Sequence, residues 1–241
     1  PLIPDIKHIH HGEIAELSKI TDKTAAIVIE IVGGEAGVRS ASINYFKALR
    51  EKCNETGCLL IIDEIQTGFG RTGTFWAYQQ MNIEPDILLT AKGMGGGMPI
   101  GAFIANDTVM STLSFEPVLG HITTFGGHPV SCAASLATLN YIQENNLLKD
   151  VRVKSDLIKE LLVHPIIQEV RGVGLMIAVE MKDFKTVKAV IDACIENGLI
   201  TDWFLFCDNA LRIAPPLVIT IDEIKMACNI LLQAMDKVYK S

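Results

Sequence analysis

Two side chains that can do chemistry each follow an apolar run in this chain. Asp63 follows "LLII" and Lys92 follows "DILLTA". A lysine at the end of a buried strand is a candidate nucleophile, because loss of water favours its uncharged amine. A carboxylate at the end of such a strand needs a cation or a hydrogen-bond donor as its partner. The two residues therefore predict either a catalytic site or a structural Asp63–Lys92 salt bridge.

The glycines after Lys92 favour the catalytic alternative. "KGMGGG" contains four glycines that weaken local structure, and their use is a close approach of the backbone to another group. The order of residues argues against a nucleoside-triphosphate loop, because that loop places its lysine after the glycines. A lysine together with an acid that can face a ring nitrogen is the arrangement that pyridoxal phosphate requires.

The elements that carry these residues form an α/β pattern. Apolar, β-branched runs at 24–31, 58–65, 86–91 and 100–105 predict strands. Helical spacing at 42–56 predicts a helix with Ser42 as N-cap and Gly57 as its end. The sequence therefore predicts a mostly parallel sheet sandwiched by helices, with Asp63 and Lys92 at the carboxyl ends of strands, where such sheets bind ligands.

The order of predicted helices and strands changes after a long helix that is predicted to begin near Pro129. Helices are predicted at 151–163, at 185–197 and from Asp222, with strands near 174–181 and 209–218. This order predicts a smaller α+β domain at 146–241, and it leaves 1–145 as part of a large cofactor-binding domain.

Composition narrows the classes of function. The chain has 241 residues, 49% of them hydrophobic, and a formal net charge of −7, which argues against a nucleic-acid surface. No apolar run reaches the roughly 18 to 20 residues of a membrane helix, and the first residues lack the pattern of a signal peptide. Six cysteines without CxxC spacing predict reduced thiols and a cytoplasmic protein. "HIHH" (8–11) lacks the further ligands of a metal site, so we expect no metal.

Four segments carry a resemblance to a known family. "LLIIDEIQTGFGRTG", "PDILLTAKGMGGGMPIGAFIA", "HITTFGGHP" and "LRIAPPL" resemble the class III pyridoxal-phosphate aminotransferases of the ornithine/acetylornithine type, in the family's order and at similar spacing. The resemblance extends over essentially the whole chain and implies fold type I. Members of the family are longer at the N-terminus, so we expect a C-terminal portion with an incomplete large domain.

The resemblance assigns four residues to the cofactor. It implies that Lys92 forms the internal aldimine and then moves a proton between the substrate carbon and the cofactor. It implies that Asp63 pairs with the pyridinium nitrogen and that Gln66 reaches the phenolic oxygen. Thr124 would donate its hydroxyl to the cofactor phosphate of the neighbouring subunit, which implies a homodimer with shared active sites.

Two further residues are implied to bind substrate. Arg212 would hold a substrate carboxylate, and Glu35 would pair with Arg212 while an ω-amino donor such as ornithine or acetylornithine is bound. When Glu35 releases Arg212, a 2-oxo acid such as 2-oxoglutarate can enter, which gives a ping-pong transamination.

Several points stay open at this stage. Ile31, Gly33 and His128 depart from the family's usual residues, so the donor preference is less secure. The aromatic residues of "DWFLF" (202–206) line a substrate pocket or pack in the core, and Arg171 is structural or near the substrate carboxylate. The alternative functions are an aminomutase, a racemase or a decarboxylase of the same fold, or a non-catalytic fragment.

Overall fold

The protein contains two four-stranded sheets and a two-stranded ribbon in the residues that the structure describes. This computed structural model describes residues 4–116, 118 and 121–240. The strands, in chain order, are β1 (Ala26–Glu30), β2 (Val32–Gly33), β3 (Arg39–Ser40), β4 (Leu59–Asp63), β5 (Ile87–Thr90), β6 (Ala102–Ala105), β7 (Glu169–Gly172), β8 (Ile177–Glu180), β9 (Asp202–Phe204) and β10 (Cys207–Ile213). The α-helices are α1 (Ile43–Thr56), α2 (Asp107–Ser111), α3 (Pro129–Glu144), α4 (Val151–Leu161), α5 (Phe184–Glu196) and α6 (Ile221–Tyr239).

The first sheet has the order β1-β4-β5-β6. The pairs β1–β4 and β4–β5 are parallel, and β6 joins as an antiparallel edge strand. The register places Glu30 beside Asp63 and Asp63 beside Leu89, so the two carboxylates lie on neighbouring strands at the carboxyl edge. The predicted mostly parallel sheet is confirmed.

Helix α1 forms where the sequence predicts it, for local reasons. The Ser42 hydroxyl accepts a hydrogen bond from the Tyr45 amide at 3.2 Å, which satisfies one free N–H of the first turn. Gly57 ends the helix with φ of 74°, a left-handed conformation that glycine adopts without a Cβ penalty. Phe46 and Leu49 of this helix are fully buried in the same core cluster as the strand residues of β4.

The other face of the first sheet is only partly covered by the described residues. Val28 is 61% exposed, and Phe103 of β6, which the register places on the same face, is about half exposed. The continuous apolar pattern of these strands is typical of a sheet that is buried on both faces. In the described residues the α1 face is the better covered of the two, since Leu60, Ile62 and Leu88 are buried there, although Ile104 on the edge strand is half exposed.

The second sheet has the order β7-β8-β10-β9 and is antiparallel throughout. Alternate residues of β8 face two different cores. Ile177 and Val179 pack in one cluster with α4, α5 and α6, whereas Ala178 packs against the core of the first sheet. The two-residue period of a strand explains this division. Sequence analysis missed β7 and β9, which have four and three residues.

Arg71 connects the segment after β4 to the second sheet. Its guanidinium donates to the carbonyl oxygens of Leu175, at 3.1 Å, and of Pro215. The Leu175 amide donates back to the Arg71 carbonyl oxygen at 2.9 Å. Gly174 has φ of 58°, and a Cβ there would meet backbone atoms of Arg71 and Thr72 at 2.5 to 2.7 Å. These contacts join the segment after β4 to the loops that flank β8 and β10 of the second sheet.

Helix α3 begins at Pro129, as the sequence predicts. The His128 ring accepts a hydrogen bond from the Val130 amide at 3.3 Å, so the residue that departs from the family's asparagine caps the helix. A Cβ on Gly96 would collide with the Thr138 hydroxyl of this helix. The glycine therefore allows the turn after Lys92 to contact α3 directly.

Candidate functional site

A cavity of about 890 Å³ lies between the turn after β5, helix α3 and the second sheet. Three of the six predicted site residues line it, namely Lys92, Gln66 and Arg212. Apolar walls are contributed by residues such as Phe69 and Phe204. The structure thus brings together one amine, one amide and one guanidinium in a mostly apolar space, the usual character of a small-molecule site.

Lys92 is held in an unusual backbone conformation. It is the first residue of the 3-10 turn Lys92–Gly95 and has φ of 44°. For a residue with a side chain this left-handed conformation costs about 1–2 kcal/mol, and such strain concentrates at functional sites. The chain has lysine here, although glycine would relieve the strain and follows immediately. That choice is explained if the amine itself is required in the cavity.

The salt-bridge alternative for Lys92 does not appear in the structure. Lys92 is exposed, and none of the ion pairs formed by the described residues joins it to Asp63. Asp63 instead accepts a hydrogen bond on Oδ1 from the Ile65 amide at 2.8 Å, and it does not line the cavity. The next residue, Glu64, is fully buried and accepts hydrogen bonds from Thr67 and from the Tyr78 amide.

Glu30 is a carboxylate beside Asp63 to which sequence analysis assigned no role. Burial, followed by the negative charge of Asp63, raises the pKa of Glu30, while the Gly34 amide and the charge of Lys92 act in the opposite direction. The charges of Asp63 and Lys92 therefore both reach Glu30. Two acids and one amine share the carboxyl edge of the parallel strands. The signal for Glu30 was its place at the end of an apolar strand, as for Asp63.

Glu35 connects two of the cavity residues. Its Oε1 accepts hydrogen bonds from Gln66 Nε2 at 3.0 Å and from Arg212 Nη1 at 2.7 Å. Its Oε2 accepts from the Leu205 amide at 2.9 Å. Burial alone would raise the pKa of Glu35, but these three hydrogen bonds and the Arg212 charge outweigh it and lower the pKa to about 2. Glu35 is therefore ionised throughout the neutral range.

Arg212 lies on β10 beside the short edge strand β9. The register pairs it with Asp202, whose two oxygens accept from Nε at 2.7 Å and from Nη2 at 2.9 Å. Nη2 also donates to the Trp203 carbonyl oxygen at 3.0 Å. The guanidinium lies over the Phe204 ring, 5.1 Å from its centroid. Sequence analysis missed Asp202, because it did not predict the three-residue strand that places the two side chains opposite each other.

The aromatic segment 203–206 divides between the two readings that the sequence allowed. Phe204 is fully buried in the core and also lines the cavity, whereas Phe206 is 79% exposed. The Trp203 ring packs edge-on against Phe184, and Trp203 does not line the cavity. Arg171 is structural, since it donates to the Gly37 carbonyl oxygen at 2.6 Å and to Glu169 at 2.8 Å.

Thr124 is a predicted site residue that, like Asp63, does not line the cavity. It is exposed, in the irregular segment before α3, and it does not line the cavity of its own chain. Its neighbour Phe125 is 81% exposed.

Over the described ranges, no three His, Cys, Asp or Glu side chains are grouped so that they could hold a metal ion. Within the same ranges, no helix combines the length and apolar character needed to cross a membrane. All six cysteines are free, four of them buried, while Cys132 is exposed.

Comparison with known proteins identifies the family. The family model "Aminotransferase class-III" matches residues 5–235. An acetylornithine aminotransferase of Methanopyrus kandleri is 40% identical over 238 residues, which are 98% of this chain and 60% of that protein. The chain belongs to the class III aminotransferases, and it spans about three fifths of the length of the curated relatives it matches.

Solved structures agree with this assignment. The ornithine aminotransferase of Toxoplasma gondii superposes with a TM-score of 0.89 at 31% identity over 100% of this chain and 57% of that one. The N-acetylornithine aminotransferase of Stenotrophomonas maltophilia gives 0.84 at 29% identity over 97% and 63%. The T. gondii structure is described with partial occupancy of pyridoxal phosphate at its active site. Pyridoxal 5′-phosphate is the cofactor of this family, as the sequence predicts.

Proposed function

We propose that this chain acts as a pyridoxal-phosphate-dependent aminotransferase, which moves an amino group from an ω-amino donor to a 2-oxo acid. Ornithine or acetylornithine is the proposed donor, and 2-oxoglutarate is the proposed acceptor. The observation that carries the proposal is the placement of Lys92 in one cavity with Gln66 and Arg212, both of which donate hydrogen bonds to Glu35.

The residues at the carboxyl edge fit the cofactor. When bound, pyridoxal phosphate supplies an aldehyde that condenses with amines and a pyridinium ring that withdraws electrons. Glu30 and Asp63 lie side by side, and the charge of Asp63 adds to burial in raising the pKa of Glu30. A protonated ring nitrogen near Asp63 would relieve this repulsion between like charges. Asp63 is the proposed partner of that nitrogen.

Lys92 is the proposed base and nucleophile. Its amine lines the cavity, and the strained backbone fixes where the side chain leaves the main chain. In this role Lys92 holds the cofactor and takes or returns the proton of the substrate carbon. Gln66 is the proposed donor to the phenolic oxygen. It would have to turn its amide from Glu35, to which it donates in this structure.

Arg212 and Glu35 are the proposed substrate-binding pair. Arg212 lines the cavity, and its Nη1 donates a hydrogen bond to Glu35. An arginine that is neutralised in this way does not attract a carboxylate, so an amine donor can be accommodated while the pair is closed. When Glu35 moves away, the guanidinium can bind the carboxylate of a 2-oxo acid. One site can therefore serve both half-reactions.

The assembly and the domain division are proposed on separate grounds. Because Thr124 is exposed and outside its own cavity, we assign it to the cofactor phosphate of a second copy in a homodimer. The large domain is proposed to end at 145 and the small domain to occupy 146–241, in agreement with the separate sheets. The six free cysteines support a reducing, cytoplasmic compartment.

Transfer of labelled nitrogen tests this function. The chain is incubated with pyridoxal phosphate, 2-oxoglutarate and ornithine or acetylornithine carrying isotopic nitrogen at the terminal amine, and glutamate is analysed by mass spectrometry. Labelled glutamate is expected from the unsubstituted chain, called the parent chain below. It is also expected from Lys23→Ala, because Lys23 is exposed and does not line the cavity. It is expected to be absent with Lys92→Ala. Release of carbon dioxide without labelled glutamate would contradict transamination and favour a decarboxylase.

A further inference from the structure

Asp202 occupies the part of Arg212 that is best shaped to bind a carboxylate. The guanidinium presents five N–H donors, and the Nε–Nη2 edge is suited to bidentate pairing. Asp202 takes this edge with contacts of 2.7 and 2.9 Å. The second N–H of Nη2 points to the Trp203 carbonyl oxygen at 3.0 Å, and Nη1 donates to Glu35 at 2.7 Å.

This arrangement limits what an incoming carboxylate can reach. With Glu35 in place, four of the five N–H groups have acceptors, and the remaining one belongs to Nη1. Departure of Glu35 frees Nη1 alone. A substrate carboxylate then binds through one nitrogen, or it must displace Asp202 or the Trp203 carbonyl oxygen. The Phe204 ring beneath the guanidinium opposes a change of its plane.

The charge at this position is also changed by Asp202. Arg212 carries +1 and each of its two carboxylate partners carries −1, so the closed group has a net charge of −1. When Glu35 departs, the net charge is zero, whereas Arg212 without Asp202 would present +1. The Asp202 side chain is 57% exposed, so solvent screens part of this effect. The direction is fixed: Asp202 disfavours an anionic group and favours a cationic one.

We propose that Asp202 is a specificity-determining residue that holds Arg212 in its Glu35-facing orientation and weakens the binding of dicarboxylic 2-oxo acids at this subsite. Donors that place an ammonium group against Glu35, Arg212 and Asp202 are favoured over donors that place a carboxylate there. The inference rests on the proposed function only in taking Arg212 as the subsite for the far end of the substrate.

Binding of 2-oxoglutarate without an amino donor tests the role of Asp202 independently of turnover. Isothermal titration calorimetry compares the parent chain with Asp202→Asn, which keeps the shape of the side chain and removes its charge. We expect the Kd for 2-oxoglutarate to fall by about threefold to fivefold, the effect of one partly exposed charge pair. Asp208→Asn is the matched control, because Asp208 is exposed on the same strand β10 and has no described contact with Arg212.

Two further measurements separate specificity from a structural effect. Arg212→Lys in the Asp202→Asn background is expected to remove the gain in affinity, which shows that the gain acts through the guanidinium fork. In the turnover assay, Asp202→Asn is expected to lower KM for 2-oxoglutarate and to raise KM for ornithine, because the charge of Asp202 disfavours an anionic group and favours a cationic one.

The proposal is overturned if Asp202→Asn binds 2-oxoglutarate no more tightly than the parent chain. It is also overturned if Asp208→Asn produces the same gain, since the effect would then be a general one of net charge. Failure of the proposed function has a different signature, namely that the parent chain forms no labelled glutamate.

Discussion

Arg212 Nη1 lies 2.7 Å from Glu35 Oε1, although 177 residues separate them along the chain. Glu35 belongs to the turn of the β2–β3 ribbon, while Arg212 belongs to the second sheet. The ion pair therefore forms only when the two parts of the chain are docked. Arg212, the cationic partner, also lines the cavity that contains Lys92. The same contact thus contributes to the stability of the fold and controls the charge of the proposed substrate site.

Replacement of Glu35 by glutamine is expected to remove part of the pH dependence of the free energy of unfolding. The folded pKa of Glu35 is about 2, below the value of about 4.3 in an unfolded chain. Ionised Glu35 therefore contributes stability that is fully present above about pH 5 and is lost as the pH falls toward 2. Solvent screening of this partly exposed pair keeps the contribution to about 1 kcal/mol.

Urea unfolding of the parent chain and Glu35→Gln at several pH values measures this effect. The parent is expected to be the more stable at pH 7, and the difference is expected to shrink as the pH approaches 3. Glu55→Gln, in which an exposed carboxylate of α1 is removed, is the control and should show little difference. A difference between parent and Glu35→Gln that does not change with pH would contradict the assigned cause.

Replacement of Arg71 by methionine is expected to loosen the docking of the second sheet. The change leaves the carbonyl oxygens of Leu175 and Pro215 without their donor, at a cost of about 2–4 kcal/mol in the free energy of unfolding. Arg152→Met removes the same type of side chain from an exposed position on α4 and should change stability little. Equal effects of the two replacements in urea titrations would show that Arg71 is not a linking residue.

Two glycines with the same backbone conformation separate strain from close packing. Gly174 has φ of 58° and Gly198 has φ of 80°, so alanine is strained at both positions. A Cβ on Gly174 would also strike backbone atoms of Arg71 and Thr72, whereas one on Gly198 would meet nothing within 4 Å.

We expect Gly198→Ala to cost about 1 kcal/mol in the free energy of unfolding and Gly174→Ala to cost roughly 1–3 kcal/mol more. Thermal and urea unfolding of both variants measure the difference. If Gly174→Ala is no more destabilising than Gly198→Ala, the close approach between the 71–72 and 174 backbones is not a constraint on the fold.

The elements that could be predicted from the sequence are those that short-range signals determine. Helix α1 begins after Ser42 and ends before Gly57 because a hydroxyl cap and a left-handed glycine act within a few residues. The parallel strands that carry Asp63 and precede Lys92 followed from continuous apolar runs. These signals were sufficient to place two of the proposed catalytic residues at one edge of one sheet.

The contacts of Arg212 could not be predicted in the same way. Its bond to Asp202 depends on a three-residue edge strand that has too few residues for a periodic pattern. Val28 is a second case: it lies in an apolar run of β1 that predicts burial, and yet its side chain is 61% exposed in this chain. In both cases tertiary pairing, rather than local sequence, decides the environment of the side chain.

Covalent capture at Lys92 tests the central claim most directly. The chain is mixed with pyridoxal phosphate, treated with sodium borohydride to fix any aldehyde held by an amine, digested and analysed by mass spectrometry. The account predicts that the modification is found on the peptide containing Lys92, at near-stoichiometric yield, and that Lys92→Ala loses it while Lys23→Ala retains it. Modification spread over exposed lysines, with no preference for Lys92, would contradict the proposed site.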